Sequence, residues 1–126
     1  MPALTVAAKQ GQKAGRVGFD WPSPDAVCPK VLEEWQEVLE ARLEGPERLA
    51  EEIGDLLFVL AQFARLSGIR PEEALSSANR KFRDRFRFME REAAAQGIPL
   101  ADLTSEQWEA LWTESKKPRK EKEAGP

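Results

Sequence analysis

The sequence predicts an all-α protein: a helical bundle of about five helices, built on an antiparallel helix pair and assembled as a dimer or higher oligomer. Three observations carry this expectation. β-branched residues are sparse and no alternating apolar run exists, whereas Ala, Leu, Glu and Arg dominate. Gly and Pro cut the chain into helix-length segments. Within those segments apolar residues recur at helical rather than strand spacing.

The first helix is expected over about Ala3 to Lys13, followed by a Gly- and Pro-rich connector from Gly15 to Pro24. A second runs from about Asp25, taken as its cap, to Glu44 and stops at Gly45. Pro46 fits the first turn of a third, which continues to Ser67 and ends at Gly68. Pro71 opens a fourth that reaches Ala95 and ends at Gly97, and Thr104 or Ser105 caps a short fifth carrying Trp108 and Trp112. Beyond Lys116 the charged run holds no apolar anchor except one alanine, so the domain is expected over 1–116 and a disordered tail over 117–126.

In the third helix, Leu49, Ile53, Leu56, Leu60 and Phe63 alternate by four and three as one apolar seam, with Leu57, Phe58 and Val59 lying off it. A helix apolar on several sides needs neighbours on several sides. This is the basis for expecting a homo-oligomer, a dimer or a tetramer.

Composition excludes several function classes. The 126 residues carry a formal net charge of -3, with both signs interspersed, which describes a soluble surface with no nucleic-acid or membrane partner. The longest uncharged apolar run, Leu56 to Ala61, is too short to span a bilayer, and no signal-peptide core is present, so a cytoplasmic location is expected. The single cysteine, Cys28, reads as a small packing residue. The absence of histidine removes Ser-His-Asp and Cys-His catalysis, histidine-ligated zinc and Glu-x-x-His di-iron sites.

The chemistry therefore falls to carboxylates, lysine, arginine or a hard metal ion. The second helix carries Glu33-Glu34-Trp35-Gln36-Glu37 and the third Glu51-Glu52-Ile53-Gly54-Asp55. Positions three apart lie about 60° apart around a helix, so Glu34 with Glu37, and Glu52 with Asp55, each form a two-carboxylate claw. Counted from Gly45, Glu37 is eight back and Glu52 seven forward, while Glu34 and Asp55 are eleven back and ten forward, so an antiparallel hairpin brings the claws together. Converging carboxylates repel unless protons or a cation neutralise them, and an oxygen-only set without histidine or thiolate suits Mg²⁺, with Mn²⁺ as a substitute. On spacing alone, two solvated acidic faces stand as the competing reading.

The pattern E-E-x-x-E, a short gap, then E-E-x-x-D resembles the signature of the MazG family of all-α nucleotide pyrophosphohydrolases. Val17-Gly18-Phe19-Asp20-Trp21-Pro22, Glu52-Ile53-Gly54-Asp55-Leu56-Leu57-Phe58, Ala78-Asn79-Arg80-Lys81-Phe82 and Arg85-Phe86 resemble family segments in the expected order, and the similarity covers about residues 3 to 116. The single module is most like the C-terminal one of two-module members. The resemblance implies Mg²⁺-dependent hydrolysis of a nucleoside triphosphate to monophosphate and pyrophosphate, by metal-activated water attack at the α-phosphorus, in a role such as nucleotide pool sanitation. It assigns Glu34, Glu37, Glu52 and Asp55 as metal ligands. Glu33 and Glu51 match family acids and stand as catalytic candidates, either orienting the ligands or activating water. Lys81 and Arg85 resemble phosphate-binding cations, and Trp112, with Lys116 one turn on, matches a nucleotide-contacting tryptophan.

Lys30 and Arg48 each lie one turn before a claw acid and either reach the triphosphate or form ordinary i,i+4 pairs. Phe19 and Trp21 either wall a base pocket or pack the connector onto the bundle. Two readings from other classes compete: a non-enzymatic helical interaction module, and nucleic-acid binding through the basic fourth helix, dense in cations from Arg80 to Arg91.

Overall fold

The computed structural model describes residues 1–118, and among them every regular element is helical. The order is α1 (Ala3–Arg16), α2 (Pro24–Ala41), α3 (Pro46–Leu66), α4 (Pro71–Ala95), a 3-10 turn at Leu100–Asp102, and α5 (Ser105–Ser115). The chain divides into two compact units, Met1–Ser76 and one that begins at Ser77 within α4. No helix among the described residues is long and apolar enough to cross a membrane. The expected tail lies outside the described residues from 119 onward.

In the first unit α3 packs against both α1 and α2. α2 is capped by Ser23, not Asp25: the Ser23 hydroxyl accepts from Ala26 N at 3.3 Å, and Pro24 occupies the first turn, where a missing N–H costs nothing. Asp25 lies in that first turn, where its charge suits the helix dipole. α2 ends at Ala41, before the expected Glu44, because residues 42–44 form a turn closed by Leu43 N to Glu40 O (3.1 Å) and Glu44 N to Ala41 O (3.0 Å). Gly45 then takes φ 106°, a conformation that admits glycine at little cost, and hands the chain to Pro46 at the start of α3.

The buried seams differ from the expected one. α3 buries Glu52, Val59 and Gln62, with Leu56 and Phe63 half-buried between them, whereas Ile53 and Leu60 of the expected seam are exposed. α2 buries Val27, Glu34, Val38 and Ala41. Each seam thus passes through a glutamate, and a pattern search that treats carboxylates as outward-facing places the stripe about one residue away from its true position.

α1 runs three residues beyond the expected Lys13, through Gly11 and Gly15. Both glycines are interior to a helix, where alanine would ordinarily be favoured by about 0.5–1 kcal/mol. The reason is close approach. A Cβ at Gly11 would overlap the Gln62 amide, and one at Gly15 would lie 2.7 Å from Asp20 Oδ2. Gln62 is fully buried; its Nε2 donates to Ala7 O at 2.7 Å and its Oε1 accepts from Arg65 Nε at 2.8 Å. Arg65 in turn grips Asp20 with both terminal nitrogens, at 3.0 and 2.8 Å. This relay ties α1, α3 and the connector together.

In the second unit Met89, Ala93, Leu103 and Ser115 are buried. Thr104 caps α5 through a reciprocal box: its hydroxyl accepts from Gln107 N at 3.1 Å, while Gln107 Oε1 accepts from Thr104 N at 2.8 Å.

Candidate metal centre

The α2–α3 hairpin brings Glu34, Glu37 and Glu52 together, with one carboxylate oxygen from each lying within 4.8 Å of the others. Glu34 and Glu52 are the two acids of the buried seams, with side chains only 8% and 5% exposed. Each is half-satisfied. Lys30 Nζ lies 3.3 Å from Glu34 Oε1, and Arg48 Nη1 lies 3.0 Å from Glu52 Oε2. The opposite oxygens, Glu34 Oε2 and Glu52 Oε1, are buried with no hydrogen-bond partner. Leaving such atoms unpaired is costly, and donors are normally found for them.

Glu37 is exposed and joins no ion pair among the described residues. Its carboxyl is held above the usual carboxylate range, first by a hydrogen bond it shares with Glu52 and next by the charge of Glu34. Electrostatically the cluster asks for positive charge. Its donors are all carboxylate oxygens, two of them dehydrated and unpaired, which is the set that suits a hard divalent cation such as Mg²⁺.

Lys30 bridges Glu34 and Glu33, the latter at 3.2 Å, and Arg48 bridges Glu52 at one side with Glu51 at 2.6 Å and Glu44 at 3.7 Å on the other. Both cations are held charged above their ordinary range, Lys30 chiefly by its hydrogen bond to Glu33 and Arg48 chiefly by the charge of Glu52. The i,i+4 pairing considered from the sequence is therefore present on both helices, and Glu33 and Glu51 are tied to these cations. Asp55 is exposed and stands outside the group of three.

In the second unit Lys81 is exposed, while Arg85 and Lys116 both lie against Trp112, with Arg85 Cζ 5.4 Å and Lys116 Nζ 5.5 Å from the ring centroid. Phe82 stacks on Phe86 at 6.0 Å and tilts against Trp112 at 5.8 Å, and Phe86 stacks on Trp108 at 6.4 Å. The sequence pairing of Trp112 with Lys116 recurs here. The addition of Arg85 to the same ring was not foreseen.

Sequence reasoning also missed the Gln62–Arg65–Asp20 relay. The one available signal was Gly11 and Gly15, four apart in a segment otherwise suited to helix.

The comparisons with known proteins concern this region above all. Residues 22–88, which include every acid of the cluster, match the MazG nucleotide pyrophosphohydrolase domain. The chain is 40% identical over 116 residues to the nucleoside triphosphate pyrophosphohydrolase/pyrophosphatase MazG of Thermotoga maritima, covering 92% of this chain and 45% of that protein. It is 42% identical over 120 residues to the nucleoside triphosphate pyrophosphohydrolase of Escherichia coli, covering 93% of this chain and 46% of that one. The Bacillus subtilis protein YabN is 47% identical over 68 residues, 54% of this chain and 14% of its own length. The chain thus spans less than half the length of these relatives. With the helical architecture, the acidic hairpin and these likenesses in agreement, the chain belongs to the MazG nucleotide pyrophosphohydrolase domain family.

Proposed function

We propose that this chain hydrolyses nucleoside triphosphates to the monophosphate and pyrophosphate with Mg²⁺, for which Mn²⁺ can substitute. The observation that carries the reading is the pair of buried, unpartnered oxygens, Glu34 Oε2 and Glu52 Oε1, in a three-carboxylate cluster. A solvated acidic face would leave its oxygens to water; these are withdrawn from it. The names of the two long relatives, both pyrophosphohydrolases of nucleoside triphosphates, support the same reaction.

In this proposal Glu34, Glu37 and Glu52 hold the metal and Asp55 completes the set through its exposed carboxylate. When bound, the ion supplies charge neutralisation at the phosphates and a water of lowered pKa. Lys30 and Arg48 hold one oxygen of each buried carboxylate and so aim the other, while presenting positive charge to the triphosphate. Glu33 and Glu51, the catalytic candidates, are bound to those cations and either fix their position or act as the general base that takes the proton of the attacking water. Lys81, Arg85, Trp112 and Lys116 are proposed as substrate contacts. No covalent enzyme intermediate is needed.

The working form is proposed to be a homo-oligomer located in the cytoplasm. Leu32 is 70% and Trp35 49% exposed on α2, and Ile53, Leu57 and Leu60 are exposed on α3, an apolar surface that a second copy would cover. The test of function is pyrophosphate release from a panel of nucleoside triphosphates with Mg²⁺ or Mn²⁺, with the products separated by chromatography. Monophosphate and pyrophosphate are expected in equal amounts. Diphosphate plus free phosphate as the main pair would place the chain in another reaction class.

A further inference from the structure

A cavity of about 630 Å³ opens in the first unit between α1 and the stretch that turns from α3 into α4. Its volume falls in the range of small-molecule sites. Thr5, Ala8, Lys9 and Gln12 stand at positions i, i+3, i+4 and i+7, so a single face of α1 forms one wall. Glu34, Glu37 and Glu52 take no part in lining it, which sets this cavity apart from the carboxylate cluster. Among the described residues no aromatic ring lines it, and Ala8, Ile69 and Pro71 give it aliphatic surface instead.

Most of the charge around the cavity is already spent. Arg65 is held by Gln62 and by both oxygens of Asp20. Arg70 pairs with Glu73 at 3.4 Å, and with side chains 82% and 70% exposed this pair belongs to the solvent-screened rim. Two charged groups remain. Glu72 Oε1 is buried with no hydrogen-bond partner. Glu72 lies in the first turn of α4, where the helix dipole favours a negative charge but supplies no hydrogen bond to this inner oxygen. Lys9 joins no ion pair among the described residues, and its Nζ lies 3.8 Å from the Met1 sulfur, a weak acceptor. The cavity thus carries one unspent carboxylate oxygen from α4 and one unspent ammonium from α1, and no ion pair joins the two.

We propose that this cavity binds a small aliphatic molecule of the ω-amino acid class, whose ammonium donates to Glu72 Oε1 and whose carboxylate accepts from Lys9 Nζ. A purely anionic ligand would leave the buried Glu72 oxygen unpaired and bring a like charge toward it. A purely cationic one would satisfy Glu72 and face the Lys9 ammonium. A dipolar molecule answers both groups at once, with charge-assisted hydrogen bonds at each end. Its methylene stem fits against Ala8, Ile69 and Pro71, whereas a planar ring finds no aromatic face to stack on. The ligand would bridge α1 to the first turn of α4, so its binding stabilises the folded first unit.

Amide chemical shifts of the nitrogen-15-labelled full chain, titrated with 6-aminohexanoate, hexylamine and hexanoate in turn, test this. The first probe carries both charges and each of the others only one. The expected result is that 6-aminohexanoate binds at millimolar concentration or below, about tenfold or more tighter than either single-charge probe, with shifts centred on Thr5, Gln12, Gly68 and Ile69. Glu72→Gln and Lys9→Met keep the length of each side chain and remove its charge, and melting curves check that both variants are folded. Glu72→Gln should abolish the advantage of 6-aminohexanoate over hexanoate, and Lys9→Met its advantage over hexylamine. No shift with 6-aminohexanoate, equal affinity for the three probes, shifts centred elsewhere, or an unchanged preference in folded variants overturns the assignment.

Discussion

Among the described residues no cation pairs with Glu37 of the cluster, and its carboxyl is held above the ordinary range first by its hydrogen bond with Glu52 and next by the charge of Glu34. Glu37→Gln is expected to melt a few degrees above metal-free wild type, because it removes a like charge facing Glu34 and Glu52, and to lose most of the stabilisation by Mg²⁺. With the cluster holding Mg²⁺ as proposed, a hundredfold excess over Kd would add about 2.7 kcal/mol to the native state of wild type, several degrees for a chain of this size. Differential scanning calorimetry against potassium chloride of equal ionic strength separates binding from screening. An equal response to the two salts would reduce the cluster to a repelling surface. Asp20 behaves in the opposite sense. The Arg65 guanidinium holds its carboxyl below the ordinary 3.8. A depressed pKa contributes stability that is full above the unfolded value and is lost as pH falls through the folded one. Asp20→Asn is therefore expected to be less stable than wild type at neutral pH by about 1–3 kcal/mol, with the gap closing below pH 3.8 in urea melts at a series of pH values. Three of the four expected metal ligands, Glu34, Glu37 and Glu52, converge as the spacing implies. Asp55 is exposed and lies outside that group, its side chain one methylene shorter than those of the three glutamates.

At the scale of the helix, capping and breaking residues located the starts of α3, α4 and α5, because Pro46, Pro71 and Thr104 act locally. The ends of α1 and α2 were less legible. Gly15 reads as a breaker until Asp20, five residues on, is seen to need the space its missing side chain leaves. The seam of α3 was misplaced because Glu52 and Gln62, both polar, occupy its core positions. Two glycine variants test this account. Gly54, also inside a helix, has open space where a Cβ would stand. Gly54→Ala is expected to stabilise the isolated chain by about 0.5–1 kcal/mol, the usual difference in helix propensity. Gly11→Ala should instead destabilise it, since the Gln62 amide must move and with it the bonds to Ala7 and Arg65. Chemical denaturation of the two side by side decides the matter; stabilisation by both would mean that the relay is not fixed in place.

At the scale of the whole molecule, the proposed homo-oligomer rests on the exposed apolar residues of α2 and α3. Light scattering at micromolar concentration is expected to find a dimer or larger, and Leu57→Glu, which places a charge on that surface, to shift it toward monomer. A monomeric wild type with full activity would remove the case for a homo-oligomer. The α2–α3 hairpin carries one more consequence, for where the chain tolerates added length. Glu34 follows the buried Val27 by seven residues, and the buried Val59 follows Glu52 by seven, so each acid sits two helical turns from the residue that docks it. One alanine inserted after Asp55 makes the second interval eight and turns Glu52 about 100° away from its partners while most of α3 stays docked. The turn between Ala41 and Gly45 has no such phase to keep, since Leu43 is 88% exposed and loop closure grows only slowly in cost with length. A short flexible tag spliced after Leu43 should thus leave the carboxylate cluster intact, making this turn a practical place for a reporter or a tether.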